Sequence, residues 1–156
     1  MTSNQTRTRP VLLTMLFASV VAVSLSITSS SADARAWTTP TRGSAERAKI
    51  MNAMRPSIAK KLNAPIEFVV KDLRVLKSWA FARVIPQRPG GRKIDITKTP
   101  MRSDAEYMDG VRTEVFLRRT STGWRVVDFV IGSTDAWWVV YCDKAPKQLL
   151  TGYCPK

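Results

Sequence analysis

Asp128 is the carboxylate best placed for proton chemistry in this sequence. It lies in the run Trp124–Ile131, on the parity of Trp124, Val126 and Val130. If that face lines a pocket, the carboxyl group rises in pKa and serves as a general base, with Tyr107 or Tyr141 as proton partner. The competing reading is a structural Asp that accepts backbone or arginine hydrogen bonds, or one on the open sheet face beside Arg112 or Arg118. No histidine occurs in the sequence. That removes Ser-His-Asp and Cys-His nucleophiles, imidazole acid–base catalysis and His-ligated zinc. No catalytic motif is diagnostic, so enzymatic activity stays open and a non-catalytic role is favoured.

Anion recognition has a clearer basis. Lys and Arg number 25 against 12 Asp and Glu, a formal net charge of +13. An excess of this size attracts polyanions such as lipid headgroups and acidic wall polymers, although a merely solvated basic surface looks the same. Arg88, Arg92 and Lys93 surround Gly90-Gly91 and can present guanidinium forks and bare backbone N–H groups to phosphate or carboxylate. The spacing is not that of a nucleotide P-loop, and a structural turn after a strand is the alternative. Trp137 and Trp138, near Tyr141, Lys144 and Lys147, are the densest aromatic group. On a helix Trp137 shares a face with Tyr141 while Trp138 points elsewhere, which leaves one indole for the core and one for a glycan, lipid or protein. Asp104, Glu106 and Asp109 do not follow the spacing of an EF-hand, and a solvated loop explains them. No cofactor and no metal is expected.

The elements that position these groups can be read from the hydrophobic pattern. Arg7 and Arg9 precede an uncharged apolar run, Val11 to Ile27, and Ala34-Arg35-Ala36 follows. This is the pattern of a cleaved signal peptide over 1–36, with cut after Ala36; an uncleaved anchor is the alternative. Export to the periplasm or beyond places Cys142 and Cys154 in an oxidising compartment, where they are expected to pair. Residues 37–43 read as a flexible leader and 44–156 as a single α+β domain. Ser44 caps a helix with a stripe of Ala48, Met51, Met54, Ile58 and Leu62; Pro56 should kink or restart it, and Asn63 and Pro65 end it.

About four strands follow. Parity shifts near Asp72, which marks a bulge. Trp79, Phe81, Arg83 and Ile85 share one face of the second strand, and Lys77-Ser78 turns into it. Residues 86–110 read as a long polar loop. Val111–Arg119 and Trp124–Ile131 form a hairpin across Thr120–Gly123, and a short helix is expected from Ser133 onward. The expected architecture is α+β: an N-terminal amphipathic helix on a curved antiparallel sheet, a short C-terminal helix and a C-terminal disulfide.

Several segments carry a resemblance. Arg47–Pro56, Pro65–Phe68, Trp79–Ala82, Pro86–Gly91, Leu117–Arg119, Gly123–Asp128 and Ile131–Asp135 with Trp138 resemble a family of small uncharacterised exported bacterial proteins. The resemblance implies a cystatin/NTF2-like architecture and assigns no activity or site residue. The expected function is therefore an exported envelope protein that binds an anionic envelope component or a protein partner through Arg88, Arg92, Lys93, Trp137 and Trp138. The alternatives are a small-ligand pocket or enzyme using Asp128 and, further off, an exported nucleic-acid-directed toxin. Inhibition of basic lysozymes is disfavoured by like charge.

Overall fold

Ser44 starts the helix as the sequence indicates. Its Oγ accepts the Arg47 N–H at 3.2 Å, and α1 runs Ala45–Leu62. The computed structural model describes residues 1–2 and 37–155, so the expected signal segment and its cleavage site lie outside the described residues. α1 buries Ile50, Met51, Met54, Ile58 and Leu62. Ala48, expected in that stripe, is exposed. At about 100° per residue it lies roughly 120° around the helix from Met54, outside the buried arc. Nor does Pro56 interrupt α1; it sits on the exposed side, where water can reach the carbonyl it leaves unbonded. Asn63, with φ +60°, ends the helix ahead of a cis Ala64–Pro65 bond.

The strands β1 (Glu67–Leu76), β2 (Trp79–Gln87), β3 (Thr113–Thr120) and β4 (Gly123–Ile131) form one antiparallel sheet in chain order. Hairpin-length links join β1 to β2 and β3 to β4, as short turns between antiparallel neighbours require. The expected bulge in β1 is present at Lys71: Val70 pairs with Val84 and Asp72 with Arg83. A second bulge falls in β4 at Val127, where Leu117 pairs with Val126 and Phe116 with Asp128.

The two faces of the sheet pack differently. On one, Leu73, Val75, Ala80, Ala82, Val84, Val115 and Leu117 meet the buried side of α1. Ala80 and Ala82 are fully buried and keep the centre of that face low, which leaves room for the larger side chains of α1. The helix and the sheet's far edge are also tied through Glu46, which accepts the Trp124 indole N–H at 3.0 Å and pairs with Arg119.

The opposite face carries Phe81 and Phe116, and the C-terminal segment covers it with Tyr141, Ala145, Leu149 and Leu150. That cover is two 3₁₀ turns, Trp137–Tyr141 and Lys147–Leu150, rather than the expected α-helix. The Cys142–Cys154 disulfide closes it, with the Cα atoms 5.9 Å apart. The leader is tied down as well: Thr38 and Val75 exchange backbone hydrogen bonds of 2.9 and 2.8 Å.

The segment between β2 and β3 is more ordered than a polar loop. It holds 3₁₀ turns at Pro89–Gly91, Ile96–Lys98 and Arg102–Tyr107, and buries Ile94 and Thr99. Gly132 fixes where this segment returns. A Cβ there would lie 2.6 Å from the Gly110 carbonyl oxygen, and its φ is +68°. This close approach, with Asp109 N–H donating to Gly132 O at 2.8 Å, holds Gly110 and Val111 beside the end of the sheet.

Candidate ligand-binding groove

The β1 bulge builds the floor of a groove. The extra residue at Lys71 lets Val69 and Asp72 share a face although they are three apart. Val69 pairs with Ile85, so both lie on the face of Phe81 and Arg83. Among the described residues, none of the C-terminal residues that cover Phe81 and Phe116 lines this end of the sheet. What remains is a groove of about 430 Å³, floored by Val69, Ile85 and Pro86 and walled by Ile94, Ile96 and Val111. Lys71 and Lys93 stand at its rim, and no acidic residue lines it. Both lysines are exposed. The size falls within the range of about 300–1,000 Å³ typical of small-molecule sites, and an apolar lining with a few charged groups is their usual composition. Long lysine stems can lie along apolar walls while the ammonium stays wet.

Of the expected site residues, Lys93 lines this groove. Arg92 is exposed in the turn, where the Arg88 N–H donates to its carbonyl at 2.8 Å. Arg88 has a different task from the one expected. Its Nη2 donates to Leu62 O at 2.7 Å, and its Nη1 to Asn63 O at 2.6 Å and Pro65 O at 3.2 Å. The guanidinium therefore closes the C-terminus of α1, whose last carbonyls have no partner within the helix.

The indoles are also turned inward. Trp137 stands edge-on to Phe116 at 5.7 Å and donates to Glu114 Oε2 at 3.3 Å. Trp138 stands edge-on to Tyr153 and donates to Tyr153 O at 3.1 Å. Both are half-buried in the same cluster, not split between core and surface, because a 3₁₀ turn spaces neighbours differently from an α-helix.

Asp128 differs most from expectation. The bulge at Val127 reverses its parity, so Trp124 and Val126 face α1 while Asp128 faces the C-terminal cover. There it is exposed and accepts the Tyr141 hydroxyl at 2.8 Å and the Phe129 N–H at 2.9 Å. It does not line this groove. Burial first, then the hydrogen bond to Asp128, pushes the Tyr141 phenol up to about 12. Tyr107, the other expected proton partner, is 73% exposed and does not hydrogen-bond to Asp128.

A row of charge that the sequence reading passed over crosses the covered face. Glu114 is fully buried; its Oε1 accepts Arg112 Nε at 3.0 Å, and Arg83 Nε lies 3.5 Å away. The Tyr153 hydroxyl accepts from Arg83 at 3.3 Å and donates to Asp72 at 2.8 Å. Arg74 completes the row, donating to Asp72 at 2.9 Å and to the carbonyls of Leu149 and Thr151. The row fastens the C-terminal segment to three strands. Its signal in the sequence was the alternation that put Arg83 on the face of Phe81, and the Glu114 that follows the same parity as Phe116. For the groove, the signals were the parity shift near Asp72 and the apolar Ile94 and Ile96 beside Lys93.

Among the described residues no group of three or more His, Cys, Asp or Glu is placed to hold a metal ion. Asp109 pairs with Arg112 at 2.7 Å, and Asp104 accepts the Ser103 hydroxyl at 3.1 Å. Among the described residues, no helix is long and apolar enough to cross a membrane. Compared with protein-family models, with curated proteins and with solved structures, the chain matches none.

Proposed function

We propose that this chain is an exported, non-catalytic binding module whose groove takes an anionic amphiphile of the cell envelope: a phosphate or carboxylate head on a hydrocarbon body. The observation that carries the reading is the pairing of an apolar channel with Lys71 and Lys93 and no acidic residue in its lining. Lysine supplies a point charge that suits either head group, and the isoleucine and valine walls suit the hydrocarbon. Export is supported by the charged, apolar and small-residue order of 1–36 and by the Cys142–Cys154 bridge, which persists in oxidising compartments. A cystatin/NTF2-like architecture is supported by one helix lying on an antiparallel sheet of four strands in chain order.

Calorimetric titration with dodecyl phosphate, dodecanoate, dodecyltrimethylammonium and inorganic phosphate, each below its micelle concentration, tests the reading. Both alkyl anions should bind, and inorganic phosphate should bind far more weakly. A Lys71→Ala/Lys93→Ala variant should lose about tenfold in affinity, close to 1.4 kcal/mol. Equal binding of the cationic amphiphile, or unchanged affinity in the double variant, would remove the groove from consideration.

A further inference from the structure

β1 is an edge strand whose outer side is covered unevenly. Thr38 covers Val75, and the leader then turns off toward Ser44. Among the described residues no backbone pairs with the outer side of residues 67–70. The register identifies which groups are left. Phe68, Val70, Leu73 and Val75 pair with Pro86, Val84, Ala82 and Ala80, all of one parity on unbroken β2. Val75 points its N–H and C=O outward to Thr38, so Phe68 and Val70 point theirs outward too.

Beside this bare edge runs a second groove of about 560 Å³, between β1 and the first half of α1. Arg42, Arg47 and Arg55 line it, against the single carboxylate of Glu67. Among the described residues none of the three arginines pairs with a carboxylate. Arg47 donates to Pro40 O at 3.1 Å, and Arg55 lies over the Phe68 ring at 5.0 Å while donating to Ile66 O. These contacts hold two of the guanidiniums beside the strand. Val69 and Gln87 line this groove and the lysine-rimmed one alike, so the edge lies between them.

We propose that an extended acidic segment of a partner protein adds to β1 as a fifth strand. Its main chain pairs with Phe68 and Val70. Every second side chain then falls on the α1 side, where Asp or Glu meets Arg42, Arg47 and Arg55. The intervening side chains fall on the side of Val69 and are small or apolar. Strand addition supplies affinity without sequence preference, and the arginines supply the choice of an acidic segment. Amphiphile binding in the other groove is a separate matter, and either reading can fail alone.

The test uses a short capped peptide of alternating Glu and Thr, and the same peptide N-methylated at every residue. Amide hydrogen exchange on the purified protein reads the site. The unmodified peptide should slow exchange at Phe68 and Val70 by about tenfold or more, and the methylated one, with identical charge, should not. Arg42→Glu, an exposed substitution, should weaken binding by about tenfold. Equal binding of both peptides would reduce the site to charge attraction and overturn strand addition. Protection elsewhere on the sheet, unchanged affinity in R42E, or no binding even at low salt would overturn it as well.

Discussion

The Tyr153 hydroxyl donates to Asp72 Oδ2 at 2.8 Å, joining the C-terminal cover to the first residue beyond the β1 bulge. Tyr153 also receives Arg83, so one phenol links β1 and β2 through side chains as well as through the ladder. Tyr153→Phe should cost about 1.5–3 kcal/mol in urea unfolding, the usual net worth of a hydrogen bond with a charged partner. Because Lys71 is the bulged residue beside Asp72, dodecyl phosphate affinity should fall with it. Full stability in the variant would mean that the bond is not formed in solution.

Glu114 is a completely buried carboxylate between two guanidiniums, and removing one side of such a group is worse than removing both. Glu114→Ala should cost near the lower end of about 3–5 kcal/mol, because Arg83 and Arg112 stay 29% and 32% exposed. Arg83→Met combined with Glu114→Leu should recover most of that loss. Urea denaturation of the single and double variants decides; an equally unstable double variant would show that the charges hold the C-terminal segment in place.

Arg88 should behave as part of the helix. It donates to three carbonyls around the end of α1 and lines neither groove. Arg88→Ala is expected to destabilise by about 2–3 kcal/mol while leaving dodecyl phosphate affinity unchanged. A stable variant with weakened ligand binding would return this residue to the anion site.

These contrasts show how much was legible from residue order. Local signals were direct: Ser44 as a cap, the alternation of Trp79, Phe81, Arg83 and Ile85, the hairpin across Thr120–Gly123, and the even cysteine pair. Asp128 escaped because one inserted residue at Val127 exchanges the two faces of a strand, and no local pattern in that run marks the insertion. The partners of Arg88 lie 23 to 26 positions away, so a loop arginine looked like a ligand-binding one. The groove itself combines Val69 and Lys71 with residues 85–87, with Lys93, Ile94 and Ile96, and with residues 110–111, brought together only by the sheet register and the Gly110–Gly132 approach.

The disulfide closes a short loop over the covered face, with a sequence separation of 12. Chain-entropy arguments give such a loop about 3 kcal/mol. Cys142→Ser/Cys154→Ser should therefore lower the unfolding free energy by about 2–3 kcal/mol. Hydrogen exchange should rise first in residues 137–153, while α1 keeps its protection. Uniform loss of protection across both faces would mean that cover and sheet unfold as one.

Tyr141 gives the chain an alkaline limit. Its phenol is raised from 10.0 to about 12 by burial and by Asp128, so the folded state holds this proton more tightly than the unfolded chain. Below about pH 10 both states are protonated and the contribution is complete. Between about 10 and 12 the unfolded chain ionises first, and stability falls by up to about 1.4 kcal/mol per pH unit. Tyr153, raised mainly by burial, acts in the same direction. Tyr141→Phe should be less stable than the natural chain at neutral pH by about 1 kcal/mol, through the lost bond to Asp128. That gap should close at about pH 11 and change sign toward pH 12, since the natural chain loses about 2 kcal/mol across the interval and phenylalanine has no proton to lose. Paired urea titrations across the interval measure it with the lysines and arginines common to both chains cancelling. A constant gap would show that Tyr141 ionises alike in both states and that its contact with Asp128 does not hold the proton.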